Sequence, residues 1–180
     1  MKSKVISINR SFAIKGVIIL LFCVYSLVIV DFTLINDNFG RSISNIFLAD
    51  KSQVNEYLSQ KINLVPFATV KLFLNAYKNS KLEIYIVAEN IVGNFLAFMP
   101  FAFFVPIVFK KVNSAPKFLA VISIGIILIE VLQLMFLTGS ADIDDLILNV
   151  SGAMLIYIIF SIPKLKHAIN KFVSGEANEN

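Results

Sequence analysis

The residues best suited to chemistry in this 180-residue chain are acids and amides that lie within or beside long apolar runs. An ionisable side chain inside a membrane span costs roughly 2.5–3.5 kcal/mol on insertion scales, so such positions carry information about function. Carboxylates and amides suit a polar or cationic group, a divalent metal ion or the head group of a lipid-linked molecule. Nine residues form this polar set: Glu89, Asn90, Asn94, Glu130, Gln133, Asp142, Asp144, Asp145 and Asn149.

The spacing of the polar set predicts that its members converge. Asn90 and Asn94 lie four positions apart and Glu130 and Gln133 three apart, so each pair shares one face of a helix. At about 1.5 Å of rise per residue, Asn94, Glu130 and Asn149 are expected roughly 6 to 14 Å below the same membrane surface. We therefore expect one polar pocket between helices, with the acids of the loop before Asn149 around its mouth.

Two interpretations of the polar set stay open at this stage. In the first, the side chains join helices through hydrogen bonds, and Asp144 and Asp145 cap the last span. In the second, which we favour, they bind a ligand, because helix packing rarely needs so many acids at one depth. No catalytic residue and no cofactor are predicted, since the single histidine, His167, lies at the opposite membrane surface. Whether a metal ion binds is left open.

The elements that position these residues are membrane-spanning helices. Hydrophobic residues make up 57% of the chain, charged residues 16%, and the mean hydropathy is +0.79, which excludes a water-soluble globule. A bilayer core of about 30 Å needs roughly 20 helical residues. The sequence therefore predicts an all-α integral membrane protein with one domain over residues 1–180, whose partner is the lipid bilayer. The predicted spans are residues 16–35, 85–109, 118–137 and 145–162.

Local features refine three parts of this prediction. The first span follows four basic residues, as in a secretory signal peptide, but no cleavage motif precedes Asp31, which favours an uncleaved span. Pro100 and Pro106 each remove a backbone donor, which predicts a kink in the second span. Between the first two spans, residues 68–77 carry apolar side chains at helical spacing. They predict an amphipathic helix, either lying on the outer membrane surface or packed over the mouth of the bundle.

Basic residues predict the orientation of the bundle. Ten of the 16 Lys and Arg residues lie in segments 1–15, 110–117 and 163–180, and six lie in segments 36–84 and 138–144. Lys and Arg favour the cytoplasmic side, so we expect a multi-pass protein of the cell membrane with both termini in the cytoplasm. Because the basic residues are scattered at the edges of apolar runs, no nucleic-acid partner is expected.

Three blocks of sequence resemble the VanZ-like family of small bacterial membrane proteins. Residues 63–67 read NLVPF, and residues 90–101 read NIVGNFLAFMPF, similar to a family stretch N-x-x-G-N-x-x-x-F-x-P. Residues 130–152 contain EVLQ, then TG, then DIDDLILNVSG, similar to E-x-x-Q followed by D-x-x-D-x-x-x-N-x-x-G. The resemblance covers about residues 62–160 and includes the polar set. Ala102 replaces a frequent family glycine, and an arginine sometimes found near Gly139 is missing.

The family is named for a member associated with resistance to the glycopeptide antibiotic teicoplanin. It is not associated with an established reaction, so the resemblance favours a non-enzymatic role. The expected function is lowered susceptibility to such antibiotics through an outward-facing acidic pocket, with a glycopeptide or lipid-linked ligand. The alternative is a membrane-embedded enzyme or binding protein acting on a lipid-linked cell-envelope substrate, with Glu89, Glu130 and the acids of 142–145 as acid, base or metal ligands. A transporter is disfavoured because the inner half of the spans lacks a matching polar path.

Overall fold

Four long apolar helices dominate the computed structural model, which describes residues 2–35 and 50–176, with side chains from residue 10 onward. The helices long and apolar enough to cross a membrane are Arg10–Ile35, Ile84–Val108, Ala115–Met135 and Ile143–Phe160. They match the four predicted spans to within a few residues. The prediction of a multi-pass, all-α membrane fold is thereby confirmed.

Helix α1 comprises Lys2–Val30 and continues into one π-helical turn, Asp31–Ile35. It begins well before the predicted span because residues 2–15 contain neither proline nor glycine, so nothing interrupts the helix outside the apolar run. In the π-helical turn, the Thr33 hydroxyl donates to the Ile29 carbonyl at 2.7 Å. The first span, Arg10–Ile35, is thus about the final three-quarters of a longer helix.

The segment between the first two spans folds into two short helices and a strand. Helix α2 is Lys51–Gln60, strand β1 is Ile62–Asn63 and helix α3 is Ala68–Lys78. Helix α2, which the sequence did not predict, starts with a capping box between Asp50 and Gln53. The hydrogen bond from the Gln53 backbone N–H lowers the pKa of Asp50 below its ordinary value. Helix α3 is the predicted amphipathic helix.

The second span consists of helices α4, Ile84–Ala97, and α5, Phe101–Val108. The predicted kink lies at residues 98–100, where Pro100 has no N–H to donate. Pro106, by contrast, is accommodated inside α5. Only one of the two prolines therefore breaks the helix.

The remaining elements are helix α6, Ala115–Met135, strand β2, Ala141–Asp142, helix α7, Ile143–Phe160, and helix α8, Pro163–Ser174. Helix α7 begins two residues before the predicted span. The last span ends just before Pro163, as expected. The same proline begins helix α8, a helix that was not predicted from the sequence.

Two contacts define the ends of the bundle. At the β end, β1 and β2 pair in parallel, with Ile62 opposite Ala141 and Asn63 opposite Asp142. At the α8 end, α8 packs on α1 near Ser11, whose hydroxyl donates to the Val173 carbonyl at 3.0 Å. The polar set lies towards the β end of the spans.

The core lies between α1, α5, α6 and α7. Its buried side chains include Phe101, Phe118 and Ala153, and the rings of Phe118 and Tyr157 stack with centroids 4.4 Å apart. Helices α4 and α7 approach most closely at Gly152, where a Cβ atom would lie 1.7 Å from the Phe95 carbonyl oxygen. Close backbone contact at a small residue is the usual way in which membrane helices pack.

Candidate functional site

The polar set is organised around the loop and helix start at residues 142–145. Asp142 is the N-cap of α7, and its carboxylate accepts from the Asp144 backbone N–H at 2.8 Å. The same carboxylate accepts from the Asn63 amide at 3.2 Å and from the Thr69 hydroxyl. Asp142 therefore joins α7 to β1 and α3, although the capping interpretation had placed Asp144 and Asp145 in this role.

Asp144 caps a helix other than its own. The residue is only 1% exposed, and its carboxylate accepts from the Phe67 backbone N–H and from the Val70 backbone N–H at 3.0 Å. Phe67 is the N-cap of α3 and Val70 belongs to its first turn. At this end of a helix four N–H groups lack partners within the helix, and a negative charge is stabilising. Phe67 has a φ of 63°, in the left-handed region, and this turn aims its N–H at Asp144.

Asp145 and the two asparagines form a second group one turn into the bundle. The Asn94 amide of α4 donates to the Asp145 carboxylate, and the Asn149 amide donates to the Asp145 carbonyl at 2.7 Å. Asn149 is 5% exposed, and its Oδ1 atom has no hydrogen-bond donor among the described residues. A buried acceptor without a donor is costly, so a donor from a bound molecule would be accommodated here.

Glu130 and Gln133 connect α6 to different partners. The Glu130 carboxylate accepts from the Asp142 backbone N–H at 3.1 Å and so belongs to the same network. The Gln133 amide donates to the Thr33 carbonyl at 3.0 Å, which joins α6 to the end of α1. Gln133 also packs against Gly139, where a Cβ atom would lie 2.9 Å from its Nε2 atom.

Two members of the polar set lie apart from this network. Glu89 is exposed on α4 and Asn90 is half-buried, and neither forms a hydrogen bond through its side chain with any residue in the described ranges. Glu89 is five positions from Asn94, which places the two side chains about 140° apart around a helix. The structure therefore brings together Asn94, Glu130, Asp142, Asp144, Asp145 and Asn149, but not Glu89 or Asn90, and Gln133 bonds to the end of α1 instead.

The region that matches a known protein family includes every residue of this site. The sequence model of the VanZ/LLP1 family matches residues 22–164, most of the chain. The chain belongs to the VanZ/LLP1 family. Protein VanZ of Enterococcus faecium is 28% identical over 102 residues, which is 57% of this chain and 53% of that relative. The match thus spans about half of that relative's length. No solved structure matches the chain.

The VanZ/LLP1 region also holds network residues that the polar set did not include. The Asn63 side-chain amide donates to Thr69 at 3.0 Å and to Asp142, and its Oδ1 atom accepts from the Val65 backbone N–H at 3.1 Å. The Tyr57 hydroxyl of α2 donates to the Gly139 carbonyl. Asn63 is the first residue of the NLVPF block that resembles the family, so the sequence did indicate that it matters. Nothing in the sequence singled out Thr69 or Tyr57.

The groups that this VanZ/LLP1 site could bind depend on which of its carboxylates already accept hydrogen bonds within the protein. Asp142 and Asp144 accept from N–H and O–H donors and form no ion pair within the part of the chain that is described. No group of three or more His, Cys, Asp and Glu side chains among the described residues is arranged to hold a metal ion. Within the described ranges, the buried Oδ1 atom of Asn149 is a polar atom of this site that has no hydrogen-bond partner.

An apolar crevice lies beside the network, between α2 and α6. Its volume is about 330 Å³. The lining side chains are Val54, Leu58, Val131, Leu134, Met135 and Leu137. Leu137 directly precedes Thr138, whose buried hydroxyl has no partner among the described residues. The β end therefore offers an apolar surface next to polar groups.

Proposed function

We propose that this VanZ/LLP1 protein lowers the susceptibility of its cell to teicoplanin-type glycopeptide antibiotics without catalysing a reaction. Family membership over residues 22–164 is the observation that carries this proposal. The protein would act by changing how the antibiotic, or its lipid tail, reaches the outer leaflet of the membrane.

This role requires the β end to face the outside of the cell. The ten basic residues outside segments 36–84 and 138–144 lie at the other end of the spans or beyond it, which supports a cytoplasmic location for that end and for both termini. The β end would then present α2, α3 and the polar network to the extracytoplasmic surface.

Exposed apolar side chains at the β end support contact with lipid there. Leu64 and Val65 are 72% and 65% exposed in the loop before α3, and Leu72 is 67% exposed on α3 itself. The Asp144 carboxylate holds this loop and helix in place through their backbone N–H groups. The crevice between α2 and α6 would take the apolar tail of the ligand.

Four residues form the proposed polar binding set: Asn94, Glu130, Asp145 and Asn149. Asp142 and Asp144 are engaged in joining α7 to α3, so we assign them a structural role. The Oδ1 atom of Asn149, which has no donor among the described residues, would accept a hydrogen bond from the ligand. The Asp145 carboxylate, which also accepts from Asn94, would attract a cationic group.

Gene deletion followed by susceptibility measurements tests this function. Deletion should lower the teicoplanin concentration that inhibits growth, with a smaller effect for vancomycin, and the wild-type gene should restore it. Asn94→Ala, Glu130→Ala and Asn149→Ala should fail to restore resistance at equal membrane levels, whereas Glu89→Ala, outside the network, should restore it. Unchanged susceptibility to both antibiotics after deletion would refute the proposal.

A second candidate is a membrane-embedded protein that binds or modifies a lipid-linked cell-envelope molecule. The buried Oδ1 atom of Asn149 supports this candidate as well, because it has no hydrogen-bond donor among the described residues and would accept one from a polar head group. Retention of a stoichiometric divalent ion by the purified protein would support this candidate. Full function of the double variant Glu130→Gln, Asp145→Asn would count against it.

A further inference from the structure

A cavity of about 280 Å³ lies at the α8 end, on the side of the bundle opposite to the polar network. We call it the α8 cavity. Its walls come from α5, α7 and α8, with Phe103, Ile107, Phe160 and Ile169 among the apolar side chains. An apolar cavity of this kind accommodates a hydrocarbon chain.

Three lysines from three separate parts of the chain line the same cavity. Lys15 belongs to α1, Lys110 follows the end of α5, and Lys166 belongs to α8. Within the described ranges, none of their ammonium groups has a carboxylate at ion-pair distance. The described lining also contains no Asp or Glu, while Asn113 and Asn170 add amide groups. The cavity therefore combines apolar walls with unneutralised positive charge.

The position of α8 makes this cavity a defined part of the fold. The helix is held on α1 by the Ser11–Val173 hydrogen bond of 3.0 Å. It ends at Gly175, whose φ is 73° and where a Cβ atom would lie 2.9 Å from the Ser11 nitrogen. The close fit of Gly175 against α1 sets the distance between α8 and the spans, and with it the width of the cavity.

The lysines also lie near the ends of the spans, where lipid head groups are expected. Lys110 follows the span Ile84–Val108 by two residues, and Lys166 follows the span Ile143–Phe160 by six. Lys15 lies within the first two turns of the span Arg10–Ile35, from which a long side chain reaches the interface. Basic pockets between membrane helices at this depth are typical sites for anionic lipid head groups.

We infer that the α8 cavity binds an anionic phospholipid. Its phosphate group would lie among Lys15, Lys110 and Lys166, and an acyl chain would lie along Phe103 and Ile107. A zwitterionic lipid would bind less well, because the described lining offers no carboxylate for its cationic head group. A soluble phosphate would leave the apolar walls unfilled. The inference is independent of the antibiotic function proposed for the β end.

Neighbouring lysines provide a matched test. In the cavity pair, Lys110→Gln is combined with Lys166→Gln. In the control pair, Lys111→Gln is combined with Lys164→Gln, which removes the same charge from the same two segments outside the cavity lining. The purified full-length proteins would be titrated with phosphatidylglycerol, phosphatidylcholine and inorganic phosphate in detergent, and binding followed by native mass spectrometry.

The cavity pair should weaken phosphatidylglycerol binding roughly 30-fold, since each lysine near a lipid head group contributes about 1 kcal/mol and 1.4 kcal/mol is a factor of ten. The control pair should bind as the wild type does. Asn170→Trp, which fills the cavity without changing charge, should also reduce binding. Equal losses in the two lysine pairs, equal binding of phosphatidylcholine, or displacement of the lipid by inorganic phosphate would each overturn the inference.

Discussion

The carboxylates of this VanZ/LLP1 protein have different roles although they lie close together in sequence. Asp142 and Asp144 each accept hydrogen bonds from a segment more than 70 positions earlier in the chain. Asp145, the next residue along α7, instead accepts from Asn94 within the bundle. The first two acids therefore hold α3 in place, and the third faces the residues that we propose as the binding set.

Replacing Asp144 tests its role as the cap of α3. Asp144→Ala should lower the free energy of unfolding by about 3 kcal/mol, because hydrogen bonds to a charged group contribute about 1.5–3 kcal/mol and two backbone donors would lose theirs. Asp144→Asn should cost less, since one acceptor oxygen remains. Thermal unfolding of the purified protein in detergent measures both. Glu89→Ala removes an exposed acid and serves as the control, and equal effects of the two alanine variants would contradict the assignment.

The bond between Asn94 and Asp145 predicts energetic coupling between α4 and α7. A double-mutant cycle with Asn94→Ala and Asp145→Ala should give a coupling free energy of about 1 kcal/mol, within the range measured for hydrogen bonds between membrane helices. The matched cycle with Asn90→Ala and Asp145→Ala should give a value near zero, because Asn90 lies one turn away on α4. Denaturant titration in mixed micelles measures both cycles, and indistinguishable couplings would refute the assignment.

Helices α4 and α7 are the pair whose packing sets the geometry of the binding set. Their contact at Gly152 leaves no space for a side chain, since Phe95 presents its carbonyl oxygen there. Asn149 lies one turn before Gly152 on α7, and Asn94 directly precedes Phe95 on α4. The close approach at Gly152 therefore brings the two asparagines to the same carboxylate, Asp145.

Adding a methyl group at Gly152 should separate these helices. Gly152→Ala should destabilise the protein by about 1–3 kcal/mol, the usual cost of overpacking, and should also lower antibiotic resistance because Asn94 and Asn149 would move apart. Gly125→Ala is the matched control, because a Cβ atom on Gly125 would meet nothing within 4 Å. Its higher helix propensity should leave stability unchanged or raise it by up to about 1 kcal/mol. Equal stability of the two variants in detergent would contradict the close packing.

The whole molecule divides into parts that the sequence could predict and parts that it could not. The spans were predictable because bilayer thickness sets their length, and Ile84–Val108 differs from the predicted 85–109 by one residue at each end. Strands β1 and β2 have two residues each, too few to show any periodicity. Helix α8 was predictable, because Leu165, Ile169 and Phe172 recur at helical spacing between its lysines.

Side-chain partners were harder to predict than helices. Spacing placed Asn94 and Glu130 near residues 142–145, because both lie on spans of known length. It could not reveal that Asp144 binds the backbone of residue 67, because that contact depends on how α3 folds over the bundle. Glu89 met the same depth criterion as Asn94 but lies on another face of α4, and depth alone does not distinguish faces.

Lys and Arg residues are distributed unevenly between the two ends of the bundle, ten against six, and this asymmetry makes the membrane orientation testable. In a Cys23→Ser background, Ser59→Cys places a thiol on α2 at the β end, and Glu176→Cys places one after α8. A membrane-impermeant maleimide applied to intact cells should label the Ser59→Cys protein and should label the Glu176→Cys protein only after permeabilisation, because Lys and Arg favour the cytoplasmic side. The reverse pattern would place Asn94, Asp145 and Asn149 at the cytoplasmic surface. An antibiotic that acts from outside could not then reach them, so the same experiment decides whether the polar network can serve the proposed function.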